Sequence, residues 1–171
     1  SDKGEWRTRI STPQAGGPYY IIVSDETRIR LDNVLIGEVW LCAGQSNMEM
    51  PIGSWGKINN YEAEIRLAQC PEIRVLHVER AASLSPLSDL KKVRKGTWQV
   101  CLPEFAANFS AVAYFFAKNL HRHLNVPIGV ITASWGGTIA ESWISKEAIT
   151  RITDLDSCEK DTLKEYSVDR D

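Results

Sequence analysis

The sequence has 171 residues, a formal net charge of −2, 43% hydrophobic and 25% charged residues. A globular chain of this size buries about 70% of its unfolded surface and needs neither disulfide nor metal to fold. Near-neutral charge excludes a nucleic-acid binder working by bulk electrostatics, because the longest basic cluster, Lys91-Lys92-Val93-Arg94-Lys95, is short and reads as a solvated loop. No apolar run approaches the roughly 20 residues of a membrane helix, and Ser1-Asp2-Lys3-Gly4-Glu5 is not a signal peptide.

The pattern changes character near residue 33. Before it, short antiparallel strands are expected: Trp6 to Ile10, then Tyr19 to Val23 after a turn-rich stretch from Ser11 to Pro18, then Arg28 to Leu31. A meander of this size is marginal alone. Residues 1–33 therefore read as the end of a β-rich domain, and residues 34–171 as a second unit. From Val34 the chain alternates strand and helix. Val34-Leu35-Ile36 and Val39 to Ala43 form an almost continuous apolar stretch, as in buried parallel strands. A helix is expected over Asn60 to Gln69, ended by Cys70-Pro71, and a strand over Ile73 to Val78. Residues 80–107 read as one long irregular section, which usually has a role in a compact domain.

Ser110 is a good N-cap for a helix whose apolar positions are Val112, Phe115, Phe116, Leu120 and Leu124. Pro127 to Ala133 is another buried strand, a last helix begins near Ser145, and the charged stretch from Asp154 to Asp171 reads as a ragged end. Strands alternating with helices predict a three-layer α/β sheet with right-handed crossovers. Ligands of such sheets sit beyond the carboxyl ends of the strands. Those ends are Gly44-Gln45-Ser46-Asn47-Met48 and Ser134-Trp135-Gly136-Gly137-Thr138.

A serine on a tight turn above the sheet edge, its N–H at a helix start, is what acyl transfer requires: an exposed nucleophile beside an anion-stabilising amide. Paired glycines let further N–H donors approach closely. Taken singly, the first segment also fits a polar turn and the second a simple chain reversal. Met48 in the last position excludes the G-x-S-x-G nucleophile elbow.

The stretch Gly37-Glu38-Val39-Trp40-Leu41-Cys42-Ala43-Gly44-Gln45-Ser46-Asn47-Met48-Glu49-Met50-Pro51 resembles the nucleophile block of the sialate O-acetylesterases, SGNH-type (GDSL-like) carbohydrate esterases related to acetylxylan esterases. The resemblance extends through Ala15 to Tyr19, Phe109 to Phe116, Pro127 to Ile131, Trp135 to Thr138 and Glu141-Ser142-Trp143, nearly the whole chain. It implies a flavodoxin-like SGNH sandwich, often accompanied by a β-rich domain. It makes Ser46 the nucleophile of an acetyl-enzyme mechanism, with oxyanion donors from the N–H of Ser46 and of Gly136 or Gly137. It implies no metal and no cofactor. The substrate is an O-acetylated sugar, contacts to which are assigned to Gln45, Asn47, Trp55 and Trp135.

Such enzymes also need a histidine base oriented by an aspartate, usually in a D-x-x-H block. The chain has none, and its three histidines, His77, His121 and His123, read as structural. The family's Gln-Gly-Glu block is absent too. The chain is therefore read as the N-terminal part of a larger esterase, incomplete at the C-terminus, with the missing half as a partner, possibly a second chain. The alternatives are an acetylxylan esterase or a non-catalytic sugar-binding or assembly fragment. Trp40 and Trp143 are expected in the core and Glu49 as a solvated surface carboxylate. Four cysteines without metal-ligand spacing and the sequon Asn108-Phe109-Ser110 point to an exported protein: secreted, lysosomal or periplasmic.

Overall fold

A computed structural model describes residues 7–81, 87, 90, 98–149 and 151. The basic cluster at 91–95 and the charged stretch from Asp154 to Asp171 lie outside the described residues. The chain opens with an antiparallel hairpin of β1 (Gly16–Ser24) and β2 (Arg28–Ile36), which forms a two-stranded sheet of its own. Val34-Leu35-Ile36 belongs to this hairpin and not to a buried parallel strand, because Val34 pairs with Tyr19 and Ile36 with Gly16. The strand thus runs straight through residue 33, where the composition changes. Residues 7–10 form no strand, and Trp6 lies outside the described residues.

The main sheet has four strands in the order β3-β6-β4-β5, numbered by sequence. They are β3 (Glu38–Gly44), β4 (Cys70–His77), β5 (Gln99–Cys101) and β6 (Ile128–Ser134). The first three in spatial order are parallel, while β5 runs antiparallel at the edge. Between them lie α1 (Ser46–Glu49), α2 (Tyr61–Leu67), α3 (Pro103–Ala106), α4 (Ala111–Leu124) and, after a 3-10 turn at Ala140–Trp143, α5 (Lys146–Ile149). Strand β5 and helix α3 lie inside what reads in the sequence as irregular chain. The expected helix at 60–69 is shorter, and Cys70 opens β4 rather than closing the helix.

Register explains the core. Side chains alternate between the faces of a strand, and the pairings Ile73↔Ile128, Val75↔Val130 and Cys42↔Thr132 put these residues on one face. All six are buried, together with Ala113, Tyr114 and Ala117 of α4. Small alanines let α4 lie close on this face. Of the stripe read from the sequence, Phe115 and Leu120 pack against the core, whereas Val112, Phe116 and Leu124 are exposed. Helix α4 starts as expected: Ser110 Oγ accepts the Ala113 N–H at 3.2 Å, using a donor the first turn would leave unpaired. At the far end His121 Nδ1–H donates to the Val126 carbonyl and His123 Nδ1–H to that of Asn119, each at 2.8 Å. Both histidines hold the helix terminus. Among the described residues no helix is long and apolar enough to cross a membrane.

Candidate active site

The parallel pairing of β3 with β6 ends in the partners Gly44↔Ser134, and the Trp135 N–H then donates to the Gly44 carbonyl at 3.0 Å. The two carboxyl ends therefore stay together as the chain leaves the sheet. Gly44 has φ +153°, and a Cβ there would stand 3.3 Å from Met48 Cβ, so glycine alone allows the sharp passage into α1. Two residues on, Ser46 opens α1, exposed above the sheet edge. Its hydroxyl donates to Gln45 Oε1 at 2.9 Å, and its N–H donates to the same oxygen at 3.2 Å.

Gly136 sits directly against this turn. A Cβ added to it would lie 3.4 Å from Ser46 Cβ, 3.5 Å from Ser46 Cα and 2.8 Å from Glu49 Oε2. The sequence-derived pairing of Ser46 with the Gly136-Gly137 turn is thus realised in space. Gly137 follows at φ +82°, with open space where a side chain would be.

Glu49 is not the solvated carboxylate expected from the sequence. Its side chain is only 15% exposed, accepts the Gly136 N–H at 2.7 Å and forms an ion pair with Arg80. Burial alone would raise its pKa, but the hydrogen bonds from Arg80 and the Gly136 N–H and the charges of Arg80 and His77 outweigh that and hold the carboxyl below its ordinary value. Arg80 follows the end of β4, and its guanidinium lies 5.7 Å from the Trp135 ring centroid. Three strand ends are thereby tied together: Glu49 after β3, Arg80 after β4 and Gly136 after β6. No spacing rule links these residues. The sequence signal that could have found Glu49 is a carboxylate three positions after Ser46, on the same short helix.

Beside this cluster lies a cleft of about 470 Å³, lined by Glu49, Trp55, His77, Arg80 and Asn108 among others. Trp55 stands on its wall with 68% of its surface exposed. Gln45 and Asn47 are exposed beside Ser46, and Trp135 is partly exposed under Arg80. Trp40 and Trp143, expected in the core, are 42% and 41% exposed. Trp40 meets Phe116 of α4 edge-on at 5.3 Å, and Trp143 Nε1–H donates to Thr138 Oγ1 at 2.8 Å. His77, at the end of β4, has Nδ1 3.2 Å from Thr132 Oγ1.

Comparison with known proteins identifies the family. A family model described as carbohydrate esterase, sialic acid-specific acetylesterase, matches residues 36–161. The human sialate O-acetylesterase is 32% identical over 154 residues, covering 84% of this chain and 29% of its own length. The mouse sialate O-acetylesterase is 31% identical, with 84% and 28% covered. A crystal structure of a carbohydrate acetylesterase from Xanthomonas citri superposes with a TM-score of 0.76 at 33% identity, over 90% of this chain and 34% of the other. The chain thus spans less than a third of the length of these curated relatives. With an α/β esterase fold and a match over most of its length, the chain belongs to the family of sialic acid-specific carbohydrate acetylesterases.

Proposed function

We propose that this chain carries the nucleophile half of a carbohydrate O-acetylesterase, with Ser46 attacking the acetyl carbonyl and passing through an acetyl-enzyme. The observation that carries the reading is the seating of Gly136 against Ser46, which joins the serine turn to the glycine turn at neighbouring strand ends. The oxyanion forms next to the Ser46 N–H, once Gln45 Oε1 gives way to it. Of the two glycines, Gly136 already donates to Glu49, which leaves Gly137 as the second donor in this arrangement. Gln45 and Asn47 flank the acetyl group, while Trp55 and Trp135 offer faces on which a sugar ring stacks.

The general base and its aspartate come from a part of the enzyme outside this chain, consistent with the short span of the relatives it covers. The same part completes a three-layer, flavodoxin-like sandwich, and the β1–β2 hairpin, through Ile36 rather than residue 33, belongs with a β-rich accessory domain. Such an enzyme acts in an exported compartment, secreted, lysosomal or periplasmic.

Arg80 favours an acidic sugar such as a sialic acid over acetylated xylan. Its half-exposed guanidinium lines the cleft, and guanidinium recognises carboxylate through paired N–H donors. The decisive test is labelling of the native enzyme with a fluorophosphonate, together with acetyl release from O-acetylated sialic acid and from acetylated xylan. Ser46→Ala is expected to abolish labelling and to lower hydrolysis by at least roughly 10³-fold. Labelling that persists in Ser46→Ala removes the serine mechanism, and equal turnover of both sugars removes the preference assigned to Arg80.

A further inference from the structure

Cys70 and Cys101 are the only cysteines among the described residues that share a register position. Cys70 opens β4, Cys101 closes β5, and the two are Cα partners across the antiparallel pair. Antiparallel partners have Cα separations of about 4.5 or 5.5 Å, and both values fall inside the range of roughly 4.4–6.8 Å that a disulfide spans. The two thiols also act on one another, Cys70 being among the groups that shift the Cys101 thiol. Cys42 cannot compete. It lies on β3, separated from β4 by β6, so two strand spacings of about 4.8 Å each keep it from Cys70.

The geometry points to a cross-strand disulfide between Cys70 and Cys101 that forms when the protein enters an oxidising compartment. This inference is independent of the role assigned to Ser46. Cys70 is partly exposed, whereas Cys101 is fully buried, so the oxidant reaches Cys70 first. The Cys70 thiolate attacks a small-molecule disulfide such as oxidised glutathione, forming a mixed disulfide and releasing one glutathione thiolate. Cys101 then attacks the Cys70 sulfur, and the second glutathione leaves as the thiol, carrying the Cys101 proton. The two protein thiols lose two electrons, and the glutathione disulfide is reduced to two thiols. Burial, with Cys70 beside it, pushes the Cys101 thiol up to about 12. That makes the second step slow and the reduced Cys101 thiol slow to alkylate.

The bond has a structural consequence for the site. β5 is the short edge strand of the sheet, and the segment that leaves β4 toward it carries Glu79 and Arg80 on the wall of the cleft. Closing residues 70–101 into a loop restricts the unfolded chain and pins that edge. Without it, three residues of antiparallel pairing hold β5.

The test is peptide mapping of the intact chain after equilibration in a glutathione redox buffer, with free thiols capped by iodoacetamide under denaturing conditions. The expected result is one crosslinked peptide pair joining Cys70 to Cys101, with Cys42 alkylated. The thermal midpoint is expected to fall by roughly 5–10 °C on reduction. That shift should vanish in Cys70→Ser/Cys101→Ser, compared with and without reductant. Alkylation of both thiols after exposure to the oxidised buffer overturns the inference, and so does a crosslink of either cysteine to Cys42 or Cys158. A Cys70–Cys101 bond whose reduction leaves the midpoint unchanged retains the site but overturns the pinning of β5.

Discussion

The two faces of the main sheet are built from equally apolar strands but have opposite fates. On one face Cys42, Ile73, Val75, Ile128 and Val130 are buried beneath α4 and its neighbours. On the other, the register Val39↔Gly129↔Arg74 and Leu41↔Ile131↔Leu76 lines up a second apolar surface, yet Val39 is 61% and Leu41 66% exposed. Trp98 lies over Gly129 on that side. The hairpin residues Ile21 and Leu31 then close the amino end of the sheet into a cleft of about 640 Å³ with Val39, Arg74 and Trp98. Strands apolar on both faces are the mark of a sheet covered on both sides. The contrast teaches that burial among the described residues is concentrated on the α4 face, while the opposite face stays open.

Core truncation on the two faces gives the largest expected difference. Ile128→Ala removes a fully buried side chain packed in register with Ile73 and should cost about 3 kcal/mol. Leu41→Ala on the open face should change stability by no more than about 0.5 kcal/mol. Urea unfolding midpoints of the two variants measure this directly. If Leu41→Ala costs as much as Ile128→Ala, the open face is covered in solution and the contrast collapses.

A smaller effect sharpens the description of the covered face. Ser110→Ala removes the Oγ that accepts the Ala113 N–H at the start of α4, at a position that is itself buried. The cost should be about 1 kcal/mol, because the orphaned donor has no water to turn to. Ser110→Asp, which restores an acceptor, should recover part of it if the pocket tolerates the charge. An unchanged urea midpoint in Ser110→Ala would show that α4 is held by packing alone.

What could be read from the sequence follows the same division. The strand ends at Ser46 and Gly136 were legible because ligands of parallel sheets collect at carboxyl termini, and the N-cap at Ser110 because capping is local chemistry. The face of α4 was read only in part: Phe115 and Leu120 do pack against the core, but hydrophobic periodicity weighs Val112 and Phe116 above Ala113 and Ala117, whereas close packing on a sheet favours the alanines. β5 has three residues, too few for a period to register. The stretch Val34 to Ile36 was assigned to the wrong sheet because strand pairing is non-local and composition is not. Glu49 was missed for the same reason, since its partners, Arg80 and Gly136, come from other strands.

The smallest effect lies where both faces end. The carboxyl of Glu49 is held below its free value of 4.5 in the folded chain, the hydrogen bonds and charges around it outweighing its burial. A depressed carboxyl pKa means that the folded state binds fewer protons than the unfolded chain in that range. Its contribution is therefore complete above about pH 4.5 and is lost as pH falls through the lower, folded value. The partner Arg80 is half-exposed, so solvent screens the pair and Glu49→Gln should cost less than about 1 kcal/mol at pH 7. The informative quantity is the difference between wild type and Glu49→Gln as a function of pH. It should be constant from pH 7 to about 5 and shrink toward zero below that, as wild type loses its charge and comes to resemble the variant. A difference that persists unchanged to pH 3 would mean that the carboxylate charge contributes nothing to holding the three strand ends, and that the hydrogen bond to Gly136 acts through geometry alone.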